Sequence, residues 1–253
     1  MAARIQFVFK LDERRKTVLL SVLLFSMIAH LYRYTNAAFN SDSLGVFRGG
    51  VDIPKQIARG RWLQPLYLQF RGSISSPFLI GLLAALYLAA SIIIMMEILE
   101  IRKKQSIVML CGLLSVAPAI TISNAAFIPW TDIFMLSLLF SMIGAYCLTV
   151  AQGIQKKLAG VLFLVLSLAL YQSYIDACML ICVFWLLRRC LSGDRIETII
   201  KSAITMILIF ALSLIVYYGS FRAACAMVSL PPSGSYNSVA GATVLSGNFR
   251  PLI

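Results

Sequence analysis

Long apolar runs alternate with short polar or basic breaks along the whole chain. Thr17–Tyr32, Pro77–Ile101, Ser106–Ile128, Ile133–Gln152 and Ser202–Gly219 carry almost no charge. These runs approach or exceed the roughly 20 apolar residues that cross about 30 Å of hydrocarbon, so each predicts a membrane helix. Thr17–Tyr32 is short for a crossing, and its ends are expected to extend into the interface. Leu158–Leu187 is overlong for one helix at about 1.5 Å per residue. A polar break at Tyr171-Gln172-Ser173-Tyr174 divides it, which predicts two short helices meeting there.

The basic clusters fix a direction for these spans. Arg14-Arg15-Lys16, Arg102-Lys103-Lys104, Lys156-Lys157 and Arg188-Arg189 all fall between apolar runs. Cytoplasmic loops carry the excess of Lys and Arg, so the N-terminus is expected inside and the C-terminus outside. The reading is an all-α polytopic integral membrane protein of about seven membrane helices, a single domain over residues 1–253. Its large first outer loop, residues 33–76, breaks the pattern. There Asp52 can cap a short helix with Pro54 in its first turn and Gly60 as terminator, and Pro65–Phe70, closed by Gly72, forms a second. Both are expected to lie along the membrane interface.

Composition supports this class. The chain is 60% hydrophobic and 13% charged, against 45–50% and about 25% for globular domains. The net charge of +12 does not imply nucleic acid, because the cations sit where the inside rule and anionic headgroups place them. Six cysteines include no CxxC pair and read as small buried apolar residues.

The chemistry concentrates in the first outer loop. Asp42, in Asn40-Ser41-Asp42-Ser43, can act as general base on a sugar hydroxyl, or serve as a turn residue. Arg48, Lys55, Arg59, Arg61 and Arg71 place positive charge on the outer side. They call for an anion such as a lipid phosphate, which Arg grips bidentately, or they contact headgroups. Asp132, in the next outer turn, could join Asp42 to hold a divalent cation, or cap a helix. Trp62 and Trp130 suit interfacial anchoring or stacking on a sugar. Tyr171, Gln172, Tyr174 and Asp176 are polar groups inside an apolar run, where such groups are usually functional. His30 is expected at the interface, and Glu97 and Glu100 are expected to pair with Arg102–Lys104. There is no phosphate-binding glycine motif and no long cytoplasmic loop, so if the chain moves a sugar, the donor should arrive on a lipid.

Tyr32–Leu44 (YRYTNAAFNSDSL), Gly60-Arg61-Trp62 with Pro65, Pro77–Gly81 and Tyr171–Tyr174 together resemble the Gtr-type membrane glucosyltransferases that modify the O-antigen of bacterial lipopolysaccharide. The resemblance covers roughly the first 190 residues. It implies a GT-C-like architecture in the bacterial inner membrane, with the active loop periplasmic. It also implies a polyprenyl-phosphate glucose donor and an O-antigen repeat unit as acceptor. By position, Asp42 is the catalytic acid residue, flanked by Ser41 and Ser43. Arg48, Arg59, Arg61 and Arg71 would hold donor phosphate, while Trp62, Trp130, Tyr171, Gln172 and Tyr174 would contact substrate. No cofactor is assigned, and a divalent cation at Asp132 is kept only as a candidate, because the paired acids of many GT-C enzymes are not matched around Asp42. The chain stops abruptly at Asn248–Ile253, shorter than its expected relatives. The competing readings are a flippase or transport component for the same lipid, and an inactive truncated remnant.

Overall fold

The computed structural model describes residues 12–36, 43, 44, 46, 50–72 and 76–229. All regular structure among them is helical, and the protein is an all-α membrane protein. In chain order the helices are α1 (Glu13–Thr35), α2 (Ile53–Ala58), α3 (Leu63–Arg71), α4 (Pro77–Leu99), α5 (Lys104–Ser115), α6 (Pro118–Ala126), α7 (Thr131–Thr149), α8 (Ile154–Leu170), α9 (Ile175–Leu191) and α10 (Ile196–Met227). Four of them, α1, α4, α7 with its preceding turn, and α10, are long and apolar enough to cross a membrane; the bent pair α5–α6 makes a fifth candidate.

Local signals account for most boundaries. Asp52 caps α2 by accepting the Lys55 N–H at 3.0 Å, and Gly60 follows the helix with φ of 82°. Gly72 closes α3 at φ of 92°. Helix α1 begins at Glu13, where the Asp12 carboxylate accepts the Arg15 N–H at 2.9 Å, so the first span does extend past both of its apolar ends. Helix α10 runs on past Gly219 to Met227. The tail expected from Ser220 therefore starts as helix, because Phe221–Ala226 contains good helix formers. Residues 230–253 lie outside the described residues.

Two differences come from contacts that are distant in sequence. The run 106–128 is not one straight helix: α5 and α6 meet at 43°. Pro118 stands at the first position of α6 and cannot continue the upstream hydrogen bonding. The freed Ser115 carbonyl accepts from His30 Nε2 at 2.9 Å, which places the ring proton on that nitrogen. His30 is thus buried in the bundle, rather than at the interface. Glu97 and Glu100 do not pair with their neighbours in sequence. Glu97 lies 3.5 Å from Arg14 and 3.9 Å from Arg15, and Glu100 pairs with Arg188. These inter-helix pairs gather the starts and ends of α1, α4 and α9 at one end of the bundle, opposite the turns that follow α6 and α8.

The break between α8 and α9 falls where the polar interruption predicts. Three exposed-by-geometry carbonyls there find side-chain donors. Gln64 Nε2 donates to Leu170 O at 2.7 Å, Ser137 Oγ to Tyr171 O at 3.0 Å and Ser141 Oγ to Tyr174 O at 2.6 Å. Non-helical backbone is tolerated at membrane depth only when neighbours satisfy it in this way. Close approach makes this possible: a Cβ on Gly144 of α7 would meet Leu164 of α8 at 2.9 Å. Small residues let membrane helices pack tightly enough for such bonds to form. Asp176 is exposed at the start of α9, where a negative charge favours the helix N-terminus. All six cysteines are free; five are buried and Cys190 is exposed.

Candidate active site

An open cavity of about 910 Å³ lies at the end of the bundle away from the basic turns. That volume falls in the usual range for small-molecule sites. One wall comes from the first loop: Val46, Gly50, Asp52, Lys55, Gln56, Arg59 and Arg61. The facing wall is built from α6, α7 and the α8–α9 turn. Ala119, Ile122, Ser123 and Phe127 supply its first part, and Trp130, Phe134, Tyr171, Ser173 and Tyr174 supply the rest. Asp42 and Arg48, both expected in the site, lie outside the described residues. Ser43, Val46 and Gly50, close to them in the chain, are described. Ser43 is buried, its hydroxyl donating to Ala126 O at 3.1 Å, and Val46 lines the cavity.

Arg61 has the most defined setting of the loop cations. Its guanidinium lies 4.8 Å from the centre of the Tyr171 ring, within the range of a cation–π contact. Nη1 donates to Gln56 Oε1 at 3.4 Å, and Nε is buried without a partner. Among the described residues no carboxylate comes within ion-pair distance of it. Burial, and then the neighbouring Arg59, pulls its pKa down, with the Tyr171 hydroxyl acting in the other direction. The group remains a cation at any physiological pH, and an anion in the cavity would lower its energy. Tyr171 therefore holds Arg61 on one side and packs against Phe134 at 4.4 Å.

The other expected residues separate into distinct roles. Arg59, Trp130 and Tyr174 line the cavity. Gln172 instead donates to Arg59 O and to the Tyr217 hydroxyl, each at 2.9 Å. Trp62 packs its ring into the core formed by α7 to α10, with its indole nitrogen buried and unbonded. Arg71 is not on the cavity wall. Its guanidinium is buried against Asp132, Nε 3.3 Å from Oδ2 and Nη1 donating to Oδ1 at 3.3 Å. The Nε approach is close but off the hydrogen-bond line, so the Nη1 bond carries the directional part.

Asp132 also accepts from Tyr67 OH at 2.8 Å and from the Ile133 N–H at 3.0 Å. Burial, followed by the Asp132 carboxylate, pushes the Tyr67 hydroxyl well above its ordinary pKa, so it stays protonated and donates. A divalent cation that used Asp132 would have to displace Arg71 and Tyr67. Among the described residues no three of His, Cys, Asp and Glu converge as a metal site.

Sequence reading missed Gln56, Ser123, Phe134 and Tyr217. Tyr217 had the only visible signal, a polar ring near the end of an apolar run. The others are ordinary residues given their place by the fold.

Comparison with known proteins places the chain in a family. The model of the glucosyl transferase GtrII family matches residues 31–248, which is most of the chain. The chain belongs to the GtrII glucosyl transferase family. No curated protein and no solved structure matches it. Every described cavity residue of this GtrII-family glucosyltransferase falls inside the matched span, as does Tyr217. The first loop, the α6–α7 turn and the α8–α9 turn are thus all part of the family's domain.

Proposed function

We propose that this GtrII-family protein moves a glucosyl group from polyprenyl-phosphate glucose to an O-antigen repeat unit. The site faces the periplasm from the bacterial inner membrane, in a GT-C-like bundle of seven crossings with the N-terminus inside. One observation carries the reading: Arg61 and Arg59 stand on the wall of a cavity whose other side is aromatic and apolar, with no described carboxylate paired to Arg61. Such a cavity suits a ligand with an anionic phosphate, a sugar ring and an isoprenoid chain. Carbohydrate C–H faces stack well on Trp130 and Tyr174, and Ile122 and Ala119 are exposed on the side of α6.

The acceptor hydroxyl attacks the anomeric carbon of glucose. A new carbon–oxygen bond forms there while the bond to the phosphate oxygen breaks, and its electron pair leaves on the lipid phosphate. Asp42 takes the acceptor proton. Arg59, Arg61 and Arg48 stabilise the charge that collects on the departing phosphate. Arg71 is already committed to Asp132, and its role is structural.

Detergent-purified protein given polyprenyl-phosphate glucose and an O-antigen acceptor should form the glucosylated product. Arg61→Ala should lower the rate at limiting donor by roughly tenfold to a hundredfold, the value of a charge-assisted bond. Translocation of the lipid in vesicles with no product would instead support a flippase. Neither activity would support the inactive remnant.

A further inference from the structure

Two side chains from distant parts of the chain close on the backbone of Arg59-Gly60-Arg61. Gln172 Nε2, from the α8–α9 turn, donates to Arg59 O and Tyr217 OH, each at 2.9 Å. Tyr217, on α10, donates its hydroxyl proton to Gly60 O at 3.1 Å. The fit is tight. A Cβ at Gly60 would stand 2.2 Å from the Tyr217 oxygen and 2.8 Å from Gln172 Nε2, and φ there is 82°. Only glycine accepts both conditions without movement.

The turn's backbone N–H groups bond to carbonyls of Lys55, Gln56 and Ile57, inside a helix of six residues that is too short to be stable alone. Its two outward carbonyls are the ones that Gln172 and Tyr217 take.

We propose that Gln172 and Tyr217 are positioning residues that lock the Arg59-Gly60-Arg61 turn so that both arginines stay on the cavity wall, aimed at the donor phosphate. This rests on the phosphate reading above. Arginines fixed before the donor arrives bind its phosphate without first losing conformational freedom, and the clamp supplies that order from α10, which packs on α8 and α9 and leaves most of its side chains exposed. Tyr217 stands about 30 Å along α10 at ~1.5 Å per residue, which carries it from the basic end of the bundle to the cavity.

The test uses the full chain in detergent, with donor and acceptor varied separately. Tyr217→Phe keeps the ring and removes both hydrogen bonds of the hydroxyl. It should raise the donor KM about five- to tenfold, leaving the acceptor KM and the kcat at saturating donor close to those of the parent. Gln172→Leu should do the same. Added to Arg61→Ala, Tyr217→Phe should cost less than it does alone, because part of its target is gone. Gly60→Ala should raise the donor KM further, and Tyr217→Phe in the same chain should relieve part of that rise by removing the oxygen the new methyl strikes.

Unchanged donor KM in both clamp variants, with Arg61→Ala still raising it, would overturn the clamp and leave the phosphate reading standing. Unchanged donor KM in Arg61→Ala as well would overturn both. A loss spread equally over donor KM, acceptor KM and kcat, matched by a lower melting temperature, would make the contact merely structural and overturn the proposal.

Discussion

Arg71→Met should destabilise the folded protein by about 3–5 kcal/mol, the usual result of removing one partner from a buried ion pair. The side chains of Arg71 and Asp132 are 3% and 0% exposed. With Arg71 gone, Asp132 keeps only the Tyr67 hydroxyl and the Ile133 N–H as donors, and a carboxylate excluded from water is left without a counter-charge. Asp132→Asn should cost a similar amount in the other direction, because it strands the guanidinium. The double variant Arg71→Met, Asp132→Leu should recover most of the loss, since two apolar groups need no solvation. Thermal unfolding in detergent measures all three. A double variant as unstable as the sum of the singles would show that the two residues contribute independently and do not compensate each other's charge. The pair joins α3 to α7, two residues after Trp130, so it sets how the loop sits over the cavity. A stable double variant that still transfers glucose would confirm that neither residue touches the donor.

The pair also shows where sequence reading stops. Asp132 and Arg71 each looked like a candidate for substrate or metal, because each is a charged residue beside an apolar run. Which charges meet is decided by helix packing, and local spacing does not carry that information. The same reason moved Glu97 and Glu100 onto Arg14, Arg15 and Arg188. Four of the expected spans, and a fifth as the bent pair α5–α6, were legible, because lipid exposure demands unbroken apolar runs. The break at Tyr171–Tyr174 was legible too, being marked by polar residues. The bend at Pro118 was not, because its freed carbonyl is satisfied from α1 by His30, so the sequence needs no polar residue beside it. In the first loop, the cap at Asp52 and the glycine turns at Gly60 and Gly72 followed from local rules. The partners of Gly60, on α8–α9 and α10, did not.

Asp42→Asn should reduce glucosyl transfer by about 10²–10⁴-fold, the range for losing a general base, with the protein still folded in the membrane. Ser43 is anchored to Ala126 O at 3.1 Å, and Val46 and Gly50, described residues that follow Asp42 in the chain, line the cavity. Asp52 is the carboxylate on the cavity wall among the described residues, and it provides the contrast. It caps α2 through the Lys55 N–H, and asparagine caps a helix about as well as aspartate. Asp52→Asn should therefore cost far less than Asp42→Asn. The reverse order would move the base to Asp52. Position also needs a separate check, because a base on the cytoplasmic side could not meet a periplasmic acceptor. Asp42→Cys, in a chain whose exposed Cys190 has been replaced by serine, should react with a membrane-impermeant maleimide added from the periplasmic side. Labelling only after the membrane is opened to the cytoplasm would end the assignment, however large the effect of Asp42→Asn on transfer.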